Sequence, residues 1–297
     1  MPESSATTRL DDVLMLTPCG PDTFQSRSRP GTITRIFGGE VAGQAALAAM
    51  STVEDRSRVL HYAHCTFLRP GDSSRPVTYQ VTRDRDGRAF SARVVEARQQ
   101  GRLIFRMTAS LHAPERGPAH QVPHSVGPGP EDAPPVMETL GGDQHTMQWM
   151  GALEQRLGVD LRFPEEPVRA AIGRGLRVEA RQQLWMRASA QLPRDERLHV
   201  AGLAYLSDIL LISTSLGPHG ESLSALDVNM ATLNHTIWFH SGCRVDEWLL
   251  YRQQGLWTGS ARGLSQGTIL DRSGTLCATT MQEGLIRPNP VGATGEH

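Results

Sequence analysis

The sequence predicts an α+β fold laid down twice, each copy one helix followed by a run of mainly antiparallel strands. Three observations predict it. An Ala-rich segment with helical spacing lies near residue 45, and the most apolar stretch of the chain lies near residue 205. Each is followed by short segments that alternate or are rich in β-branched and aromatic residues, separated by turns. A tract dense in Pro and Gly divides the two series.

The elements follow in order. Residues 1–30 are polar and mixed and are expected to form an irregular arm. From about Gly39 to Met50, Val41, Ala45, Ala48 and Ala49 recur at helical spacing, and the small residues suit a helix lying close on a flat surface. HYAHCTFL and PVTYQVTRD read as strands, Asp86-Gly87 as a turn, and AFSARVVEAR with LIFRMTASLH as a hairpin around Gln99-Gln100-Gly101. Residues 113–135 lack any apolar period. The chain is therefore divided into a half at 1–115, a Pro/Gly-rich linker at 116–140 and a half at 141–297. In the second half LRVEARQQLWMRASA is strand-like, Leu198 to about Ser215 is long enough for a helix, and HTIWFH is a strand. Three more strands follow, at EWLLYRQQ, ARGLSQGTILDR and TLCATTMQEG, with a turn at Ser273-Gly274. His64-Cys65-Thr66-Phe67-Leu68 and His235-Thr236-Ile237-Trp238-Phe239 each follow a helix and read as an echo of one plan.

Composition narrows the function. A chain of 297 residues suits about two domains and needs no staple to fold. The formal net charge of -1 argues against a generally basic nucleic-acid binder. No run of 18 apolar residues predicts a membrane span. All 30 basic residues are Arg, which removes Schiff-base chemistry and any P-loop lysine. The acidic start lacks the cations and apolar core of a signal peptide, and Cys19, Cys65, Cys243 and Cys277 contain no C-x-x-C pair. A cytoplasmic location is expected.

Specific words of the sequence carry a resemblance. The first half holds F-G-G-E-V-A-G-Q-A-A-L-A-A from Phe37, H-C-T-F-L-R-P-G-D from His64, R-D-G-R-A-F-S-A-R-V-V-E-A from Arg85 and Q-x-G-x-x-I-F from Gln99. The second half holds L-A-Y-L-S-D from Leu203, N-H-T-I-W-F-H from Asn234, D-E-W-L-L-Y from Asp246, R-G-L-S-Q-G from Arg262 and Q-E-G-L-I-R from Gln282. In this order, over about residues 10–290, the chain resembles the TesB-type acyl-CoA thioesterase II family, whose fold is a double hotdog. The resemblance implies a long helix wrapped by a curved antiparallel sheet in each half. It implies hydrolysis of fatty acyl-CoA to free acid and coenzyme A without a cofactor, in a homo-dimer or homo-tetramer. It also implies a catalytic set of Asp208, Thr232 and Gln282, with Gly38 and Gly39 helping to bind substrate; His64 and His235 are read as core or interface histidines ahead of residues that shape the substrate tunnel. The chemistry fits those residue types: a carboxylate takes a proton from water, and a hydroxyl and an amide hold that water in line. The sequence departs from the family where Asp usually precedes the histidine of the W-F-H strand; here Asn234 keeps the shape and loses the charge.

Other readings compete. A non-catalytic acyl-CoA-binding double hotdog is the alternative, with Asn234 part of an eroded site. Enoyl-CoA hydration ranks last, because Leu206 to Leu216 contains no His to pair with Asp208. A metal is not expected: on regular strands His61 and His64, and likewise His235 and His240, point to opposite faces. Gly263-Leu264-Ser265-Gln266-Gly267 fits a nucleophile elbow but sits in a strand-like run, and only the terminal His297 follows it. Trp238, Trp248 and Trp257 are read as core or interface residues ahead of channel lining. Any of the Arg residues could hold the coenzyme phosphates.

Overall fold

The computed structural model describes residues 8–29, 35–135, 144–220 and 228–288. The last residues of the expected linker, 136–140, the start of the second half at 141–143 and the terminal His297 lie outside the described residues. In the first half the elements are α1 (Leu10–Leu14), β1 (Leu16–Gly20), β2 (Thr23–Ser26), α2 (Gly38–Ser51), β3 (Val59–Phe67), β4 (Thr78–Asp86), β5 (Phe90–Gln99) and β6 (Arg102–His112). In the second half they are α3 (Gln144–Leu157), β7 (Val159–Arg162), α4 (Val168–Gly173), β8 (Arg181–Ala188) and α5 (Glu196–Leu206). A 3-10 helix (Ile212–His219) follows, then β9 (Val228–Phe239), β10 (Leu249–Gly259), β11 (Arg262–Leu270) and β12 (Leu276–Pro288).

The strands make one antiparallel sheet in the order β1-β2-β4-β5-β6-β3-β9-β12-β11-β10-β8-β7. The two halves meet at its centre, where Cys65 of β3 lies opposite His235 of β9. The helices cover one face, here the inner face. On α2, Ala42, Ala45, Ala46, Ala48 and Ala49 are fully buried, so the helix lies close to both the sheet and α5. A Cβ at Gly43 would stand 2.9 Å from the Ala201 carbonyl of α5, so glycine sets that separation. The hairpin of β5 and β6 turns at Gln100 and Gly101, with φ of +49° and +76°, the left-handed pair that a two-residue connection requires.

Four expectations are corrected. The first residues are not an irregular arm throughout. Leu10, Val13 and Leu14 are buried, Gln44 donates to the Val13 carbonyl at 2.6 Å, and Thr23 of β2 lies opposite Gln80 of β4. A five-residue helix and a four-residue strand are too short to register as a period. Second, the apolar stretch from Leu198 to Ser215 is not one helix. Its α-helix ends at Leu206, and Leu210 takes a φ of +58° before the 3-10 turn begins. Apolarity reported burial there, and between the two helices side chains from the sheet bond the backbone, Tyr251 to the Ser207 carbonyl and Gln253 to the Ile209 carbonyl. Third, the sequence reading passed over α3 and α4. Fourth, the histidine echo is out of phase. Ala63 and Cys65 lie in the core, so His64 faces outward; His235 and Ile237 are buried, so His235 faces inward. A one-residue slip on a strand exchanges its faces.

The Pro/Gly-rich segment lies across the outer face of the second half. Ala133 packs with Trp185, Trp248, Leu250 and Leu270 in a small second core, and the Trp185 indole donates to the Pro128 carbonyl at 3.2 Å. Gln121 donates to the Gly274 carbonyl at 2.8 Å and accepts from the Leu276 amide at 3.0 Å. Leu249, Leu250 and Tyr251 are thus buried consecutively, the outer one under this segment. That accounts for the unbroken apolar run W-L-L-Y.

Candidate active site

Asp208 is the second residue after α5, and it points at the start of α2. The Gly39 amide donates to Oδ2 at 2.8 Å, so the carboxylate caps α2 from the other half of the molecule. Phe37, which precedes that helix, supplies no side-chain cap of its own. A Cβ at Gly38 would stand 2.6 Å from Oδ2, which explains why glycine occupies the approach. Gly39 is equally confined, against the Tyr205 carbonyl of α5.

The other oxygen, Oδ1, accepts from the Thr232 hydroxyl at 3.3 Å and from the Gln282 amide, which is in close contact. The same amide donates to Thr232 Oγ1 at 3.3 Å, so the three side chains close a triangle. A register fault makes the triangle feasible. Gln282 lies opposite His235 and Gly284 lies opposite Thr232, so Leu233 is an extra residue on β9. On a regular strand Thr232, three residues before the inward His235, would face outward. The bulge turns it back to the inner face. The structure therefore brings Asp208, Thr232, Gln282, Gly38 and Gly39 together.

Electrostatics at this point oppose each other. Asp208 is only 9% exposed, and burial raises its carboxyl above the usual Asp range. The donors from Gln282, Gly39 and Thr232 pull it back down. The helix start adds the positive end of a dipole. Beside it, Oε1 of Gln282 and Nδ1 of His235 are buried without a hydrogen-bond partner among the described residues. Below, burial and the neighbouring Asp208 push the Cys65 thiol up, so it stays protonated.

The two histidines part company. His235 is fully buried on the inner face; its Nε2 lies 2.8 Å from Ser207 Oγ, and burial lowers its pKa to about 3, leaving it neutral. Ser207 is adjacent to Asp208, so His235 secures the turn that carries the carboxylate. His64 lies on the outer face, where its Nδ1 is 2.8 Å from Thr236 Oγ1, and the structure does not bring it to Asp208. Asn234 is also outward, donating at 3.0 Å to Glu283, whose other oxygen takes Arg262 at 2.7 Å. An aspartate in its place would face that glutamate as a like charge. The substitution therefore does not reach His235.

A register shift between Leu60 and Tyr62 brings His61 to the same outer face as His64, correcting the opposite placement expected of a regular strand. His61 bonds Ser110 at 2.7 Å, and among the described residues no three His, Cys, Asp or Glu converge as a metal site would require. Ser265 is buried within β11, 2.8 Å from Ser215 Oγ, and not on a strand-to-helix turn. Gly263 and Gly267 around it leave room for Ser215 and Tyr251. Trp248 belongs to the second core, with Arg187 4.5 Å above its ring. Trp238 and Trp257 are 40% and 47% exposed, so they are not core. The sequence reading missed Ser207, Tyr251 and Gln253, which hold the Asp208 turn; no spacing in the sequence ties them to it.

Residues 154–285 match the model of a family described as acyl-CoA thioesterase, and residues 27–112 match one described as its N-terminal domain. Human acyl-coenzyme A thioesterase 8 is 34% identical over 285 residues, covering 94% of this chain and 88% of its own length. Acyl-CoA thioesterase 2 of Haemophilus influenzae is 35% identical over 271 residues, covering 89% and 92%. Among solved structures, the acyl-CoA thioesterase II TesB2 of Mycobacterium marinum superposes with a TM-score of 0.76 at 33% identity, covering 95% of this chain and 99% of its own. A hot dog fold protein from Alicyclobacillus acidocaldarius, 20% identical with a TM-score of 0.73 over 95% of this chain and 98% of its own, shares the fold. Two tandem hotdog halves are thus the architecture, as the sequence predicts.

Proposed function

Because this chain belongs to the acyl-CoA thioesterase family and is an acyl-CoA thioester hydrolase, we propose that Asp208 is its general base, with Thr232 and Gln282 orienting the attacking water. The single observation that carries this reading is the triangle at Oδ1. One carboxylate oxygen accepts from two side-chain donors, Thr232 and Gln282, while its other oxygen is anchored on the Gly39 amide. A carboxylate fixed at one end and lined by polar groups at the other is suited to accept a proton in a fixed direction.

The reaction balances without a protein nucleophile. The water oxygen bonds the thioester carbonyl carbon as its proton passes to Asp208. The carbonyl oxygen becomes an oxyanion, which we assign to the start of α2 and the Gly38 amide, since the Gly39 amide is already given to Asp208. Collapse breaks the carbon–sulfur bond, and the proton held by Asp208 returns to the departing thiolate. The products are a carboxylic acid and coenzyme A. The raised carboxyl of Asp208 makes the base a stronger proton acceptor than an ordinary aspartate, and its acid form holds the proton for the second step.

We assign fatty acyl-CoA as the substrate class and lipid metabolism as the setting. A cytoplasmic location is proposed from the four free cysteines. No described helix is long and apolar enough to cross a membrane. A homo-oligomer is proposed from Trp238, Trp257, Leu256 and Phe90, which the sheet leaves exposed. The test is release of free coenzyme A thiol from acyl-CoAs of short, medium and long chain, by wild type beside Asp208→Asn. Hydrolysis that collapses in the variant supports the assignment of the base; equal turnover by both overturns it.

A further inference from the structure

Between Leu206 and Ile212 the backbone is neither helix nor strand, and Leu210 has a positive φ. Asp208 sits in this segment, where the backbone makes turn bonds from the Ser207 amide to the Leu203 carbonyl at 3.0 Å and from the Ile209 amide to the Leu206 carbonyl at 3.1 Å. Two side chains of β10 add to that hold. The Tyr251 hydroxyl donates to the Ser207 carbonyl at 2.6 Å, and the Gln253 amide donates to the Ile209 carbonyl at 2.7 Å. Two residues apart on one strand, they share a face, and their acceptors are the peptides on either side of Asp208.

Both clamps are themselves tied down. Tyr251 Oη lies 3.0 Å from Thr280 Oγ1 on β12, two residues before Gln282. Gln182 of β8 donates to Gln253 Oε1 at 2.6 Å. A Cβ at Gly267 would stand 2.8 Å from the tyrosine oxygen, so that glycine reserves the space for the ring. Tyr251 is fully buried and Gln253 nearly so, and buried polar groups of this kind are costly unless their bonds are made. Burial also raises the tyrosine pKa, keeping its hydroxyl a donor at every working pH.

We propose that Tyr251 and Gln253 are positioning residues that set the angle of Asp208 by gripping the carbonyls before and after it, with Tyr251 linking that grip to the strand carrying Gln282. This rests on the reading of Asp208 as the base. The test uses the full-length chain as Tyr251→Phe and Gln253→Met, beside Asp208→Asn. Each is assayed for kcat and KM on one acyl-CoA, for the pH dependence of kcat, and for thermal midpoint. Misplacing a reacting group by about 1 Å costs on the order of 100-fold. The expected result is a kcat reduced roughly 10- to 100-fold in both variants with KM within about twofold, and a displaced acid limb of the kcat profile. Two outcomes overturn the proposal. One is kcat near wild type in both variants while Asp208→Asn is inactive, which leaves the base assignment standing. The other is a kcat loss that only follows the fraction of unfolded protein, with the acid limb unmoved. If Tyr251→Phe does not fold, Gln253→Met decides alone. Activity retained by Asp208→Asn removes the base assignment itself and is read independently of both.

Discussion

Replacing Asp208 with Asn separates chemistry from folding, and the structure says by how much. The side chain accepts three donors: Gly39 N–H, Thr232 O–H and Gln282 N–H. An asparagine can keep its oxygen toward Gly39 and turn its amide toward Thr232 and Gln282. That sets two N–H groups against each other unless Gln282 rotates by half a turn. Rotation gives up the weak 3.3 Å contact with Thr232 and carries the amide NH2 to the buried position where Oε1 had no partner among the described residues. The flipped amide then accepts from the new Asn. The bond between the two side chains is restored and the displaced amide hydrogens are left buried, so stability should change by about 1–3 kcal/mol. Activity should not survive, because a general base contributes about 100- to 10,000-fold, or roughly 3–5 kcal/mol of barrier. Thiol release under single-substrate kinetics measures the first quantity, and thermal unfolding measures the second. The two also differ in pH dependence. The folded-state carboxyl is raised above its unfolded value, so its stabilising contribution is present at low pH and lost as pH rises through the folded value. The thermal midpoint of Asp208→Asn should therefore gain on wild type as pH rises. Wild-type kcat should fall as pH drops through that same raised value. A variant hydrolysing acyl-CoA within about tenfold of wild type would refute the reasoning.

Three further substitutions test other parts of the structure. In Gly38→Ala the new methyl would stand 2.6 Å from Asp208 Oδ2 and 3.2 Å from Phe67, so kcat should drop at least about tenfold; unchanged kcat would mean the carboxylate approach is not confined. Ser265→Ala removes a hydroxyl shared with Ser215 and Thr214, so about 1 kcal/mol of stability should go while kcat at 25 °C stays within about threefold. Loss of all turnover in that variant would revive the serine-nucleophile reading. The Arg197 guanidinium gathers the carbonyls of Met50, Val53 and Asp55 at the end of α2. In urea titrations Arg197→Met should lose about 3 kcal/mol and keep its kcat while folded. An unshifted urea midpoint would show those bonds to be replaced by solvent.

The helix over residues 38–51 and most of the strands were legible because their periods were complete: Ala spacing on α2, and alternation on β4 and β5. The end of α5 was not. Ser207-Asp208 interrupts an apolar run too briefly for composition to register, and the side chains that bond the turn there, Tyr251 and Gln253, lie over 40 residues later. The three residues of the triangle came from the family resemblance, not from spacing. A regular β9 would put Thr232 and His235 on opposite faces, and nothing local announces that Leu233 is an extra residue. The same blindness to register made His61 and His64 look separated and made His64 look equivalent to His235. Strand patterns show that faces exist; bulges decide which residue faces which way.

The two halves do not contribute in kind to the triangle and its anchor. Asp208, Thr232 and Gln282, the side chains that meet, all come from the second half. The first half supplies a main-chain amide at Gly39 and, at Gly38, the lack of a side chain. The two halves are constrained in correspondingly different ways. One must retain particular functional groups, whereas the other must retain smallness and a helix origin. The first half thus lends the triangle no side chain, whereas a methyl group at Gly38 would stand 2.6 Å from Asp208 Oδ2. Neither half is a spare: separated, one would hold a carboxylate with nothing to cap, and the other a helix start with nothing to receive.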